Sequence, residues 1–397
     1  MRASAFVYPW DVNGDPEAPA RIAGLGVAQA TLASAYHSTR ALTPRHPRHR
    51  IVTAEHAAVL YPPGAHWAGR TPRPYPSGDW APGDAFGEAA DALAAAGLQV
   101  HTWVVLAHNS RLGADHPDTS VVNAYGDRYP WAPCIAQPAT RAYLTALAAE
   151  AAVRPGASGT ELESLGWYGL AHLHAHDKTA GVGPGDAGQY LMSLCFCPSC
   201  REGYGAQGLD AGELAATVRA VLEPVWRGAS SGGGGWAGVE KLLGGETAAA
   251  TRAWRDATAR TLQETAVRAV RAAAPEGFQV LLHADPVSYH CGANAGVDPA
   301  HILSVADGVV VPCTGSPASL TPFAQEARGA GEARANRPDT VLAANFTVVS
   351  GMGGSPATLA ADATEARRLG ATELRLYHAG LASDDDLEQV SGALAGL

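Results

Sequence analysis

Three histidines at alternate positions, His172, His174 and His176 in "GLAHLHAHDK", lie just beyond two glutamates at alternate positions, Glu161 and Glu163 in "TELESLG". Residues two apart on a strand share a face. If that face is the inside of a sheet, Glu163 sits nearer the strand end, where burial raises a carboxyl pKa toward the range a general acid needs at neutral pH. The histidines follow the strand and a break at Gly169, which favours a loop. There they would contact a polyhydroxyl substrate or a neighbouring carboxylate, with Asp177 and Lys178 extending the lining. The sharper alternative is that the three imidazoles hold zinc or another transition metal. A second carboxylate, Asp285, ends the apolar run "FQVLLHA" and precedes Pro286. It either projects into the site as the partner of Glu163 or caps the turn it opens. Two such carboxylates act as acid and nucleophile at ~5 Å separation, or as acid and base at ~6.5–9.5 Å.

A second group of residues reads as a metal site. Six cysteines in 397 residues do not make a disulfide framework, and three of them crowd into "CFCPSC" as Cys195, Cys197 and Cys200. Pro198 favours a tight turn that lets these thiolates converge, and a structural zinc needs a fourth ligand. Cys134, in "RYPWAPCIAQ" just before a helical stretch, is the candidate. The plainer alternative is four small buried hydrophobes.

The elements that must position these residues are legible as alternation. Eight short apolar runs, at 4–9, 30–36, 99–107, 159–165, 278–284, 308–313, 341–346 and 373–378, are separated by Ala-rich stretches of helical period, such as 84–97, 139–152 and 358–370. That pattern implies an α/β fold, a (β/α)₈ TIM barrel, with its chemistry at the C-terminal ends of the strands. The residues expected there are Trp10 and Asp11, Tyr36 and His37, His108, Asn109 and Arg111, Glu163 with Trp167 and the 172–178 segment, His283 and Asp285, Asn345, and Tyr377 with His378. One connection, 37–83, is rich in Pro and His, so it is expected to form a long loop after the second strand. Its 60–80 part, with Trp67 and Trp80, would form a lid whose aromatic faces stack on sugar rings. The other, 179–277, is expected as a helical insertion carrying the cysteines and the flexible "SSGGGG" tract, within a single domain spanning 1–397.

The stretch "RYPWAPCIAQPATRAYLTALAAEAA", the carboxylate-bearing fourth run and "CFCPSCREGYGAQGL" together resemble family 42 glycoside hydrolases and related glycosidases, over roughly residues 125–210. The resemblance implies a (β/α)₈ barrel that cleaves glycosidic bonds, with a structural zinc held by Cys134, Cys195, Cys197 and Cys200. That family carries its acid in an Asn-Glu pair after strand four and its nucleophile as a Glu after strand seven. Glu163 here has no preceding Asn, and the seventh run, "LAANFTVV", offers Asn345 and no carboxylate.

A net charge of −10, with no basic stripe, speaks against a nucleic-acid partner. No run approaches the ~20 apolar residues of a membrane span, and "MRASAFVYPWDVNG" shows no signal-peptide pattern, so a cytoplasmic protein without a membrane partner is expected. The reading is a glycoside hydrolase-like enzyme acting on a small carbohydrate. Glu163 and Asp285 are its carboxylates, the polar residues at the strand ends its binding shell and zinc its structural metal, with no organic cofactor. A homo-oligomer stays open. The alternatives are a metal-dependent hydrolase, lyase or isomerase built on His172, His174, His176 and Asp285, or a barrel that binds a carbohydrate without turnover.

Overall fold

The computed structural model describes residues 1–171, 177–179, 181–230, 233–329 and 339–397. Eight parallel strands form its centre: β1 (Arg2–Val7), β2 (Gln29–Tyr36), β3 (Gln99–Val105), β4 (Ala157–Glu163), β5 (Gln279–Asp285), β6 (Gly308–Pro312), β7 (Val341–Thr347) and β8 (Glu373–Tyr377). β1 pairs in parallel with both β2 and β8, and this double pairing closes the sheet into a barrel. A helix returns the chain after each strand: α1 (Ala18–Gly24), α2 (Ala85–Ala95), α3 (Pro138–Ala152), α4 (Gly245–Ala273), α5 (Pro299–Val305), α6 (Leu320–Arg328), α7 (Leu359–Leu369) and α8 (Asp384–Ala395). The expected (β/α)₈ barrel is therefore the fold, and each of the eight apolar runs is one of its strands.

The local chemistry explains the elements. Strands covered on both faces read as nearly continuous buried runs rather than alternating ones, and all eight residues of β2 are buried. In α2 the buried residues Ala85, Phe86, Ala89, Ala90 and Leu93 recur at helical spacing, and Asp84 caps the start by accepting from the Gly87 amide. Pro138 opens α3 at a position whose N–H has no helical partner, and α7 ends at Gly370 in the left-handed region. No helix among the described residues is long and apolar enough to cross a membrane.

The 37–83 connection is more ordered than its composition suggests. Thr39–Leu42 and Ile51–Ala54 form an antiparallel hairpin, and Ala58–Val59 pairs antiparallel with the end of β2. Four-residue strands carry too little alternation to stand out among Pro and His. The expected 60–80 lid is instead fastened to the barrel wall. Leu60, Tyr61 and Trp67 are buried, and Glu150 of α3 accepts from the Gly64 amide at 2.6 Å, the Trp67 indole N–H at 2.6 Å and the Tyr61 hydroxyl at 3.3 Å. Between β4 and α4 the described chain forms helices Gly185–Met192, Pro198–Ala206, Ala211–Trp226 and Gly235–Leu243.

Candidate functional site

The barrel interior is polar in its middle layer. Glu161 of β4, fully buried, accepts from the Arg375 Nε of β8 at 2.7 Å and from Thr31 of β2 at 3.2 Å, and lies 3.8 Å from both His101 of β3 and His283 of β5. Burial alone would raise this carboxyl, but Arg375, then His101 and His283, override it and hold Glu161 down at about 2. Glu161 is thus an anion at neutral pH, paired with a buried cation.

One layer higher the balance reverses. Glu163 Oε2 accepts from the Trp103 indole N–H at 2.7 Å and from the Tyr377 hydroxyl at 3.1 Å, with His283 Nδ1 at 3.8 Å. Burial dominates these two hydrogen bonds and pushes the carboxyl up to about 7, while His283 is driven down to about 4 by its own burial and stays neutral. Because Oε2 already takes two donors, the proton of the neutral acid belongs on Oε1. The pair is held at a cost to the backbone. Ser164 (φ 58°) and His378 (φ 62°), the residues directly after Glu163 and Tyr377, are non-glycine residues in the left-handed region, a strain that proteins keep mainly at functional sites.

Above Glu163 opens a cleft of about 740 Å³ whose polar walls are Tyr8, Tyr36, His37, His108, Tyr168, Tyr377 and His378. The Tyr8 hydroxyl bridges the Tyr36 hydroxyl and His378 Nδ1, each at 2.9 Å, and burial lowers His378 to about 3. With the Tyr8 proton directed to Tyr36, the neutral His378 donates from Nδ1, and the Tyr36 proton is left to point elsewhere. His108 stacks on Tyr168 at 4.6 Å and faces His37 at 4.9 Å. These rings form a continuous wall able to pack against a sugar face and bond its hydroxyls.

The structure brings His37, His108, Glu163, Tyr377 and His378 together in this cleft, with His283 beneath it and Asn345 buried in β7, its Oδ1 without a hydrogen-bond partner among the described residues. Other expected residues stand elsewhere. Trp10 stacks behind Tyr8 at 4.7 Å. Asp11 is pressed against Gly380, where a Cβ would lie 1.8 Å from its oxygen, and burial raises it to about 7. Asn109 caps a short helix through the Leu112 amide, and Arg111 lies over Tyr75 and contacts His56. Trp67 is spent on Glu150, and Trp80 packs edge-on against His56. Trp167 donates to the Arg255 carbonyl beneath that residue's guanidinium and belongs to the core. Asp285 caps the Val287 amide at 2.8 Å and faces His290 at 3.0 Å, a contact that raises the His290 pKa, while His283 of the same strand turns to Glu161 and Glu163. The reason is register: Leu281 pairs with Glu161 and Leu282 with Leu162, which puts His283 level with Glu163. His172, His174 and His176 lie outside the described residues. Sequence reasoning missed Tyr8, Tyr168 and Trp103 as site residues. Trp103 was legible only as a core residue, and it is both buried and the donor to Glu163.

No family model and no curated protein matches the sequence. Solved structures do match in shape. An α-L-fucosidase isoenzyme 2 from Paenibacillus thiaminolyticus aligns with 100% of the chain at TM-score 0.57 and 12% identity, the chain spanning 49% of its length. The PgaB (BpsB) glycoside hydrolase domain from Bordetella bronchiseptica aligns over 99% of this chain and 98% of its own, at 0.55 and 14%. A GH42 β-galactosidase from G. stearothermophilus aligns over 100% and 56%, at 0.53 and 10%. The fold is shared with glycoside hydrolases. At such identities the likeness concerns architecture alone, and the chemistry rests on the side chains.

The cysteines form a compact cluster. Cys134 Sγ lies 3.7 Å from Cys197 Sγ and 3.6 Å from Cys200 Sγ, and the four sulfurs of Cys134, Cys195, Cys197 and Cys200 all lie within 4.8 Å of one another, buried. Four thiolates around one ion at ~2.3 Å would sit ~3.8 Å apart, so the residues fit a tetrahedral metal. The Val122 and Cys197 amides donate to Cys195 Sγ at 3.4 and 3.5 Å. The cluster joins the end of the Arg128–Pro133 strand to the start of helix Pro198–Ala206.

Proposed function

We propose that this protein is a glycoside hydrolase-like enzyme that cleaves a glycosidic bond of a small glycoside or sugar derivative, with Glu163 as the proton donor. The observation that carries this reading is Glu163 itself: a carboxyl poised at about 7 by burial, oriented by Trp103 and Tyr377, at the floor of a cleft walled by tyrosines and histidines. In this role Glu163 delivers its Oε1 proton to the leaving oxygen, while the Tyr36 and His108 side walls orient the sugar. Asp285, at the end of the neighbouring strand and hydrogen-bonded to His290 at 3.0 Å, is the second carboxylate of the proposal. The neighbours of like fold that are glycoside hydrolases support the reaction class, and the four-cysteine cluster supports zinc as a structural metal that fixes the segment after β4.

The test is a screen of chromogenic glycosides with the wild type, Glu163→Gln and Asp285→Asn. As an acid, Glu163 works while protonated, so turnover should fall as pH rises through about 7. Glu163→Gln should lose about three orders of magnitude or more on substrates with poor leaving groups and recover in part on activated ones, whereas Asp285→Asn should not be rescued. Near-normal turnover by both variants on an unactivated glycoside would refute these roles.

A further inference from the structure

Four large hydrophobic side chains are exposed among the described residues: Leu42 (56%), Ile51 (58%), Met352 (53%) and Tyr125 (40%). Two of them, Leu42 and Met352, line the same cleft as Glu163, and Ile51 pairs directly with Leu42 across the hairpin, on the same face. Exposed apolar side chains gathered at one place mark a binding surface.

Both supports are built to hold these tips out. The segment that joins the two hairpin strands is tied to the barrel by Arg45, which donates to the Ala382 and Gly380 carbonyls, and by His46, whose Nε2 meets the Asn13 carbonyl at 3.0 Å. On the other side the Met352 turn is fixed by Ser350, whose hydroxyl and amide bond Asp386 at 2.5 and 3.1 Å. The hairpin's other face is buried through Ala41, Val52 and Ala54, so the exposure of Leu42 and Ile51 belongs to a docked element. The cleft is therefore graded, with tyrosine and histidine groups around Glu163 and, away from it, the aliphatic Leu42 and Met352 beside the exposed Arg40 of the hairpin. A ligand matching that gradient is amphiphilic. A second copy of the chain is a poorer occupant, because three side chains fall far short of the ~800 Å² per partner of a stable interface.

Building on the glycosidase reading, we propose that the substrate is a glycoside with an apolar aglycone, aryl or alkyl, which lies against Leu42, Ile51 and Met352 while its sugar reaches Glu163. For each sugar whose p-nitrophenyl glycoside is turned over, kcat/KM is measured on the n-octyl and the methyl glycoside of that sugar. The wild type should prefer the octyl compound by about 30-fold or more, the effect of removing an alkyl chain from water. The Leu42→Ser/Met352→Ser variant should reduce that ratio to within about fivefold of unity. Tyr125→Ser, which removes the exposed apolar side chain outside this cleft, should keep the full ratio. A wild-type ratio near one, or a ratio that the double variant leaves intact, overturns the inference. So does a sedimenting dimer that the double variant dissolves, which would give the patch to a second copy. Turnover without chain-length preference removes this inference alone, whereas no turnover of any glycoside removes the glycosidase reading and this inference with it.

Discussion

Two glutamates two residues apart on one strand end in opposite states. Glu161 is held at about 2 by a guanidinium, and Glu163, which meets only neutral donors and a neutral histidine, is pushed up to about 7. Sequence could place both on one face, but it could not say which of them would meet the arginine, because Arg375 arrives from a strand 214 residues away. The raised value makes Glu163 a liability for folding. The folded carboxyl keeps its proton where the unfolded chain, at ~4.3, has lost it. Its favourable contribution is complete below about pH 4 and is lost as pH rises through about 7, at ~1.4 kcal/mol per unit. Glu163→Gln should therefore be about 3 kcal/mol more stable than the wild type at pH 8 and nearly equal to it at pH 4.5. Urea unfolding at the two pH values checks this. A stability difference that does not grow with pH would mean that burial is not what raises the group.

At the scale of elements, the loops rather than the strands held the surprises. All eight runs mark strands, because a strand covered on both faces announces itself as an apolar stretch. The cysteine spacing likewise announced its cluster, since four sulfurs brought within 4.8 Å need little more than a turn at Pro198 and the Arg128–Pro133 strand that delivers Cys134. The surroundings of Trp67 and Asp285 were not legible in this way. A tryptophan in a Pro- and Gly-rich segment looks like a free aromatic face, yet a single carboxylate on α3 collects it, and Asp285 meets a histidine five residues on. Such partners are set by register and docking, which alternation does not encode. Two outcomes follow. Glu150→Ala strands three donors at once, and at ~1–3 kcal/mol for an unsatisfied buried group it should cost the fold about 3 kcal/mol, read as a lower urea midpoint. Cys197→Ser should empty the metal site, with zinc by elemental analysis falling from about one per chain to near zero, and should open the 185–206 helices to protease. Fully reduced wild-type protein without metal would refute the second outcome.

At the scale of the whole molecule, the barrel is braced across its interior by charge. Arg375 of β8, fully buried, bonds Glu161 of β4 at 2.7 Å and Glu373 at 2.8 Å, and His101 of β3 and His283 of β5 stand at 3.8 Å from the same Glu161 carboxylate. Four strands thus converge on one anion, and this layer lies directly under Glu163. The brace need not add net stability, since desolvating two ions costs about as much as their attraction returns, but half of it is far worse than none. Arg375→Met should destabilise by about 3–5 kcal/mol by leaving Glu161 buried without its cation, and adding Glu161→Gln should restore much of that loss. The pH dependence gives a second, independent readout. Glu161 is depressed in the folded state, so its contribution is present above the unfolded value of ~4.3 and is lost as pH falls toward about 2. Without Arg375 the carboxyl loses the charge that holds it down. The variant should then gain stability relative to the wild type as pH falls from 5 to 3, where the wild type declines. Urea denaturation of the wild type, the single variants and the double variant across that range decides the matter: parallel pH curves for wild type and Arg375→Met would show that the pair does not carry the acid sensitivity of the barrel.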